Sequence, residues 1–201
     1  MFLGPLSVAA LLALLLAVHR AVDLRELATR IRSGDHSAFR QFFDATHADL
    51  LRTLRRRNLD VATAEDVVQQ AFVWIWEHRD RLDPEQSIRG LLFRIGLTRS
   101  LNARRDAGRT DSLPDLPLPD TSSTGDAAAL GELRDALAMA VAELPERRRQ
   151  VFTLCFFDGL THRDAAAALD ISPKTVEHQM GHALKALRQT LAPFVEEDSE
   201  Q

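Results

Sequence analysis

The sequence predicts an all-α protein: two helical bundles joined by a flexible acidic linker. Three observations predict it. Apolar residues recur at helical spacing through most of 24–109 and 127–192, no segment alternates convincingly as a strand would, and a Pro-, Ser- and Asp-rich stretch at 110–126 breaks the periodicity. The organisation read from this is an apolar N-terminal extension at 1–21, a first helical domain at 22–109, the linker at 110–126, a second helical domain at 127–192 and an acidic tail at 193–201.

The most informative stretch is GLTHRDAAAALDISPKTVEHQMGHALKALR, from Gly159 to Arg188, which reads as two helices joined by a tight turn. Thr161 caps the first helix, whose apolar positions Ala165, Ala166 and Leu169 end at Asp170. Ser172 caps the second, with Pro173 in its first turn, where a missing N–H costs nothing. Ile171, Val176, Met180, Leu184 and Leu187 form one apolar stripe for packing the second helix on the first. The other face carries Lys174, Thr175, Glu177, His178, Gln179, His182 and Lys185, side chains suited to base edges and phosphates. This is the pattern of a helix-turn-helix DNA reader.

At 201 residues and 45% apolar content the chain has enough material for compact cores. Its net charge of −4 looks wrong for a nucleic-acid binder until its distribution is considered. Asp111, Asp115, Asp120 and Asp126 lie in and beside the linker, and Glu196, Glu197, Asp198 and Glu200 lie at the C-terminus; without these eight acids the remainder carries +4. The single cysteine, Cys155, forms no internal disulfide and no Cys-rich zinc site, which fits a reducing cytoplasm, and reads as a small core residue.

Residues Phe2 to Val18 are uncharged and mostly Leu, Ala and Val. The run is short for a membrane span, is interrupted by Gly4 and Pro5, and lacks the preceding basic residues of a signal peptide. The favoured reading is a start placed too far upstream; membrane contact is expected only if 2–18 belong to the native protein.

In the first domain Leu24, Leu27 and Ile31 form a helical stripe broken by Ser33-Gly34-Asp35. Phe39, Phe42, Phe43, Leu50, Leu51 and Leu54 continue into a second helix ending in Arg55-Arg56-Arg57, a run expected to be a solvated face. Thr63 is expected to cap a third helix with Val67, Val68, Ala71, Phe72 and Ile75 inward, Trp76 in the core, and Asp66, Gln69, Gln70, Val73 and Glu77 on another face. Asp83-Pro84 is expected to open a fourth, in which Ile88, Leu91, Leu92 and Ile95 recur at helical spacing. Between residues 88 and 109 six Arg stand against one Asp, a candidate phosphate track.

In the second domain Ala127 to Val141 reads as an Ala- and Leu-rich helix, and Leu144-Pro145-Glu146 begins another with Val151, Leu154 and Phe157 inward. The linker between the domains, partly extended by Pro114, Pro117 and Pro119, can compete with nucleic acid for the basic surfaces on either side or act as an inert spacer.

The runs AFRQFFDATHADLLRTL, AEDVVQQAFVWIWEHRDRLDP and SIRGLLFRIGLTRSLNARR together resemble region 2 of extracytoplasmic-function (ECF) sigma factors, the small sigma-70-family subunits of bacterial RNA polymerase. LPERRRQVFTLCFFDGLTHRDAAAALDISPKTVEHQMGHALKALR resembles region 4 of the same family, so the resemblance runs from about Asp23 to Leu191. It implies core RNA polymerase as partner, region 2 docking on the clamp helices and region 4 on the flap. It further implies promoter DNA, held as a melted −10 element and read as −35 duplex, an anti-sigma factor, and no cofactor, metal or catalytic residue.

By this resemblance the polymerase-docking face is Asp66, Gln69, Gln70, Val73 and Trp74, with Gln70 where the family commonly has an acid and Trp74 as an anchor. The −10 surface is Arg94, Arg99, Asn102, Arg104 and Arg105. Leu91 stands where the family has Trp and Thr98 where it usually has Asn, which bears on −10 preference. The −35 reader is Lys174, Thr175, Glu177, His178, Gln179, His182 and Lys185, with Glu177 suited to a cytosine amine and Gln179 to adenine.

Three other readings compete, one of them a membrane-bound interaction protein that merely sequesters a sigma factor. ISPKTVEHQM alone would suit a stand-alone LuxR-type regulator, but nothing in such a protein requires the first bundle. His178 and His182 lie at i and i+4 as zinc ligands do, yet a metalloprotease needs Glu where Gln179 stands, and no third ligand is evident.

Overall fold

The computed structural model describes residues 23–106 and 127–196, with eight α-helices and no strand among them. The apolar extension, the whole linker with residues 107–109 before it, and the last residues of the tail lie outside the described residues, so the expectations placed on them stay where the sequence left them. No described helix is long and apolar enough to cross a membrane.

Helices α1 (Leu24–Arg32), α2 (His36–Arg56), α3 (Val61–Glu77) and α4 (Ile88–Asp106) form the first bundle. Their boundaries follow side-chain capping. Asp23 accepts from the N–H groups of Arg25 and Glu26, and Asp35 from those of Ser37 and Ala38, directly after Gly34 turns the chain at φ +87°. The stripe of α3 is as the periodicity predicts, with Val67, Val68, Ala71, Phe72 and Ile75 buried.

Four details differ from the sequence reading. The cap of α3 is Asp60, whose carboxylate takes both the N–H and the hydroxyl of Thr63. Asp83-Pro84 forms a separate turn, Asp83 accepting from Glu85 N–H, while α4 begins at Ile88 with the Ser87 hydroxyl accepting from Gly90 N–H. Trp76 is only half-buried, packed between His36 and Phe39 with Arg79 over its ring. Arg56 is not solvated, because a carboxylate 102 residues away meets it in the interior.

Helices α5 (Ala127–Ala142), α6 (Glu146–Phe152), α7 (His162–Leu169) and α8 (Pro173–Glu196) form the second bundle, α6 running on through a π-turn at Thr153–Phe157. Ala140, Val141, Leu144, Phe152, Ala183 and Leu187 make a compact core between α5, α6 and α8. The α7 cap is reciprocal: Thr161 Oγ1 accepts from Asp164 N–H and Asp164 accepts from Thr161 N–H. Asp170 ends α7 in the left-handed conformation at φ +57°.

The sequence predicts two bundles; the structure sets them against each other. Val151, Leu154, Cys155, Leu160, Ala165, Ala166, Ala168 and Val176 join the interior that α1–α4 build. The broadest helix contact among the described residues is α4 on α7, made possible by Gly90, where a Cβ would come within 2.5 Å of Asp164 O and of Ala167 Cβ. Helix α4 is therefore central, with Phe93, Gly96 and Leu97 buried besides the predicted Ile88 and Leu92.

Candidate nucleic-acid interface

Helix α8 presents the polar face the sequence predicts. Ser172 Oγ accepts from Thr175 N–H at 3.0 Å and so fixes the start of the helix. Lys174, Thr175, Glu177, His178, His182 and Lys185 are exposed and Gln179 is half-buried, while Val176 and Ala183 are fully buried on the opposite side. Arg148 of α6 donates to Gln179 Oε1 at 3.5 Å. The His178 and His182 rings meet edge to face, their Nε2 atoms 3.0 Å apart. This proximity to His178 holds the His182 imidazole below its ordinary range, with smaller effects from burial, Arg148 and Lys185.

The residues of α4 expected on the −10 surface differ in their surroundings. Arg94 is bidentate to Asp170, Nη1 and Nη2 lying 2.9 and 3.0 Å from its carboxylate oxygens. Arg99 donates to Gln70 Oε1 at 2.9 Å, while Asn102 and Arg105 are exposed. Arg104, expected on the same surface, is buried, because it falls on the face of α4 turned to the interior. Leu91 packs against the core and Thr98 is exposed.

On α3, Asp66, Gln69, Gln70 and Val73 are exposed together. Trp74 is half-buried, stacked on His78 at 4.2 Å between ring centroids. Beside them an open, largely apolar groove between α2 and α3 is lined by Phe39, Phe43, Val68, Phe72, Val73 and Trp76.

Sequence reasoning missed the residues that join the bundles. Arg56 pairs with Asp158 and donates to Phe157 O at 3.2 Å. Arg89 is buried and pairs with Asp49 at 2.8 Å, donates to Gly159 O at 3.2 Å and has Asp164 at 3.9 Å. Asp164 also accepts from the Ser87 hydroxyl. No periodicity marks such pairs, since each depends on a partner remote in sequence.

The Sigma-70 region 2 family matches residues 42–110, and the Sigma-70, region 4 family matches residues 134–187. Over 192 residues the chain is 30% identical to RNA polymerase sigma factor CnrH of Cupriavidus metallidurans, covering 88% of this chain and 96% of that one. The chain belongs to the ECF sigma factors of the sigma-70 family. It is also 30% identical over 168 residues to ECF RNA polymerase sigma factor SigL of Mycobacterium tuberculosis, covering 79% of this chain and 92% of SigL. The solved structure of CnrH in complex with the cytosolic domain of CnrY aligns over 89% of this chain and 99% of that one, with a TM-score of 0.57 and 29% identity.

As an ECF sigma factor the protein directs promoter-specific transcription initiation. A stand-alone LuxR-type regulator accounts for neither the region 2 match nor the first bundle. The sigma factor's two matched regions lie in α2–α4 and α5–α8, with the acidic stretch between them.

Proposed function

We infer that the protein binds core RNA polymerase through α3, reads a −35 duplex through α8 and holds the melted −10 strand along α4. The observation that carries this reading is the division of polar surface. Helix α8 offers exposed base- and phosphate-seeking side chains, and the edge of α4 offers Arg94, Arg99, Asn102 and Arg105 at successive turns. Arg104, being buried, falls outside that edge.

The docking face is Asp66, Gln69, Gln70, Val73 and Trp74, where a partner covers an apolar centre within a polar rim. The clamp of the polymerase is its proposed occupant, and the flap that of the second bundle. CnrH was solved with the cytosolic domain of CnrY, and a protein partner, the anti-sigma factor that the resemblance implies, is proposed for this chain as well. Domain limits at 22–109 and 127–192 and a cytoplasmic site of action belong to the same reading. No reaction is assigned: opening the −10 duplex needs binding energy for unstacked bases and no covalent chemistry.

The test is run-off transcription with core polymerase and this subunit on a library of promoter fragments. Defined starts absent with core alone support the reading, and transcripts no different from core alone overturn it.

A further inference from the structure

We propose that His178 and His182 of α8 form a two-imidazole site for a divalent late first-row transition cation, which keeps coordination positions open to a DNA phosphate or a guanine N7. The metal site stands independently of the function proposed above. Its effect on DNA rests on the assignment of α8 as the duplex reader.

Helical spacing builds the site. Residues four apart stand one above the other on a helix, so both imidazoles project from the same strip of α8. Ser172 fixes the start of that helix, and the fully buried Val176 and Ala183 fix its inner face, which turns the two rings to solvent. Their Nε2 atoms converge to 3.0 Å, with the ring planes at 81°. At that distance the two nitrogens share one hydrogen. A cation takes its place once both rings carry their hydrogen on Nδ1. Beside the pair Gly181 has no side chain, and a Cβ placed there would meet nothing within 4 Å, which leaves room for the cation's water ligands.

The separation of the nitrogens selects the cation. Nitrogens about 2.0–2.1 Å from one ion and 3.0 Å from each other subtend roughly 95° at it, close to the right angle of square-planar or octahedral coordination. A tetrahedral ion would hold them about 3.3–3.4 Å apart, so Cu(II) and Ni(II) fit better than Zn(II). Cu(II) binds nitrogen sites most tightly of these and is the probe.

The described residues contain no group of three or more His, Cys, Asp and Glu able to hold a metal, so the remaining ligands come from solvent or from DNA. Arg148 and Lys185 act on His182 electrostatically, and their charge opposes a dication. A duplex phosphate offsets that repulsion. Cation and duplex therefore strengthen one another, and by the same factor.

The test uses the full-length chain in non-chelating buffer with one equivalent of Cu(II), read by electron paramagnetic resonance and titration calorimetry. The wild type should show coupling to two imidazole nitrogens. His178→Ala or His182→Ala should each weaken binding by on the order of tenfold or more, since one ring alone loses the chelate. His162→Ala, at an exposed position on α7, should leave it unchanged. Fluorescence anisotropy with a fluorescein-labelled duplex, with and without Cu(II), reads the coupling: the wild type should bind about fivefold tighter or more with the metal, and the His178→Ala/His182→Ala double variant should not respond.

Cu(II) binding that persists in the double variant belongs to other groups of the chain and overturns the site. If Cu(II) fills the pair and duplex affinity ignores the metal while still falling in the double variant, the site stands and the coupling is overturned. If duplex affinity ignores both the metal and the loss of the two rings, the site stands and the placing of these His residues in the duplex reader is overturned.

Discussion

Arg56 of α2 and Asp158 of the turn before α7 form an ion pair between bundles, with only 9% and 1% of their side chains exposed. Removing either partner leaves an uncompensated charge in the interior, so Arg56→Ala or Asp158→Ala should each cost about 3–5 kcal/mol in urea unfolding, whereas Arg56→Met with Asp158→Leu should cost much less. Burial pushes the Asp158 carboxyl up, against the pull of Arg56. Without Arg56 that carboxyl takes a proton more readily still. The folded Arg56→Ala variant therefore keeps its stability at acid pH and loses it as pH rises through the raised value, which unfolding midpoints across pH will show.

Cys155 is inert while the chain is folded. Burial first, and then the charges of Asp164 and Asp158, push its thiol up to about 12, so the thiolate that reacts is scarce near neutrality. Labelling by a thiol reagent should be slow in buffer and should rise with denaturant along the unfolding transition, as a stopped-flow titration will measure.

Asp35 should matter near neutrality and not in strong acid. The Ala38 N–H and the Arg30 guanidinium are the main causes that hold its carboxyl below the usual carboxylate range. A lowered value in the folded state means stabilisation that is complete above the ordinary carboxylate range and is lost as pH falls through the lowered value. Asp35→Ala should consequently lower the melting temperature at pH 7, and the gap from wild type should close in strong acid.

Promoter contacts should separate into reading and holding. Glu177→Ala should change which −35 sequences are preferred, with discrimination at one base pair altered by about 1–3 kcal/mol. Arg105→Ala should weaken open complexes across promoters to a similar degree and make their salt dependence shallower by about one phosphate contact. Transcription from a randomised promoter library, repeated at several salt concentrations, will distinguish the two patterns.

Acidification should recruit His182. Its imidazole is held below the ordinary range chiefly by His178 and so stays neutral at pH 7, charging only at lower pH. The salt slope of duplex binding should steepen by up to about one unit on going from neutral to acidic buffer, and His182→Ala should reduce the change.

Local signals made much of this legible from the sequence. The Thr161 and Ser172 caps, the buried stripe of α3 and the polar face of α8 are set by residues within a turn or two of each other. Asp60 displaced Thr63 as a cap because both sit near the same N-terminus and the carboxylate takes two donors. Arg56, Arg104 and Trp76 were misplaced because their surroundings come from remote elements, to which helical periodicity is blind. Gly90 gave no signal either, since its purpose is the nearness of a helix 74 or more residues later.

Helix α7 is the part of the helix-turn-helix that is engaged with α4, whereas the reading face of α8 stays open to solvent. A partner of α8 can therefore be met in this arrangement without the bundles moving apart. A partner that needs the face of α7 lying on α4 instead requires the bundles to part first.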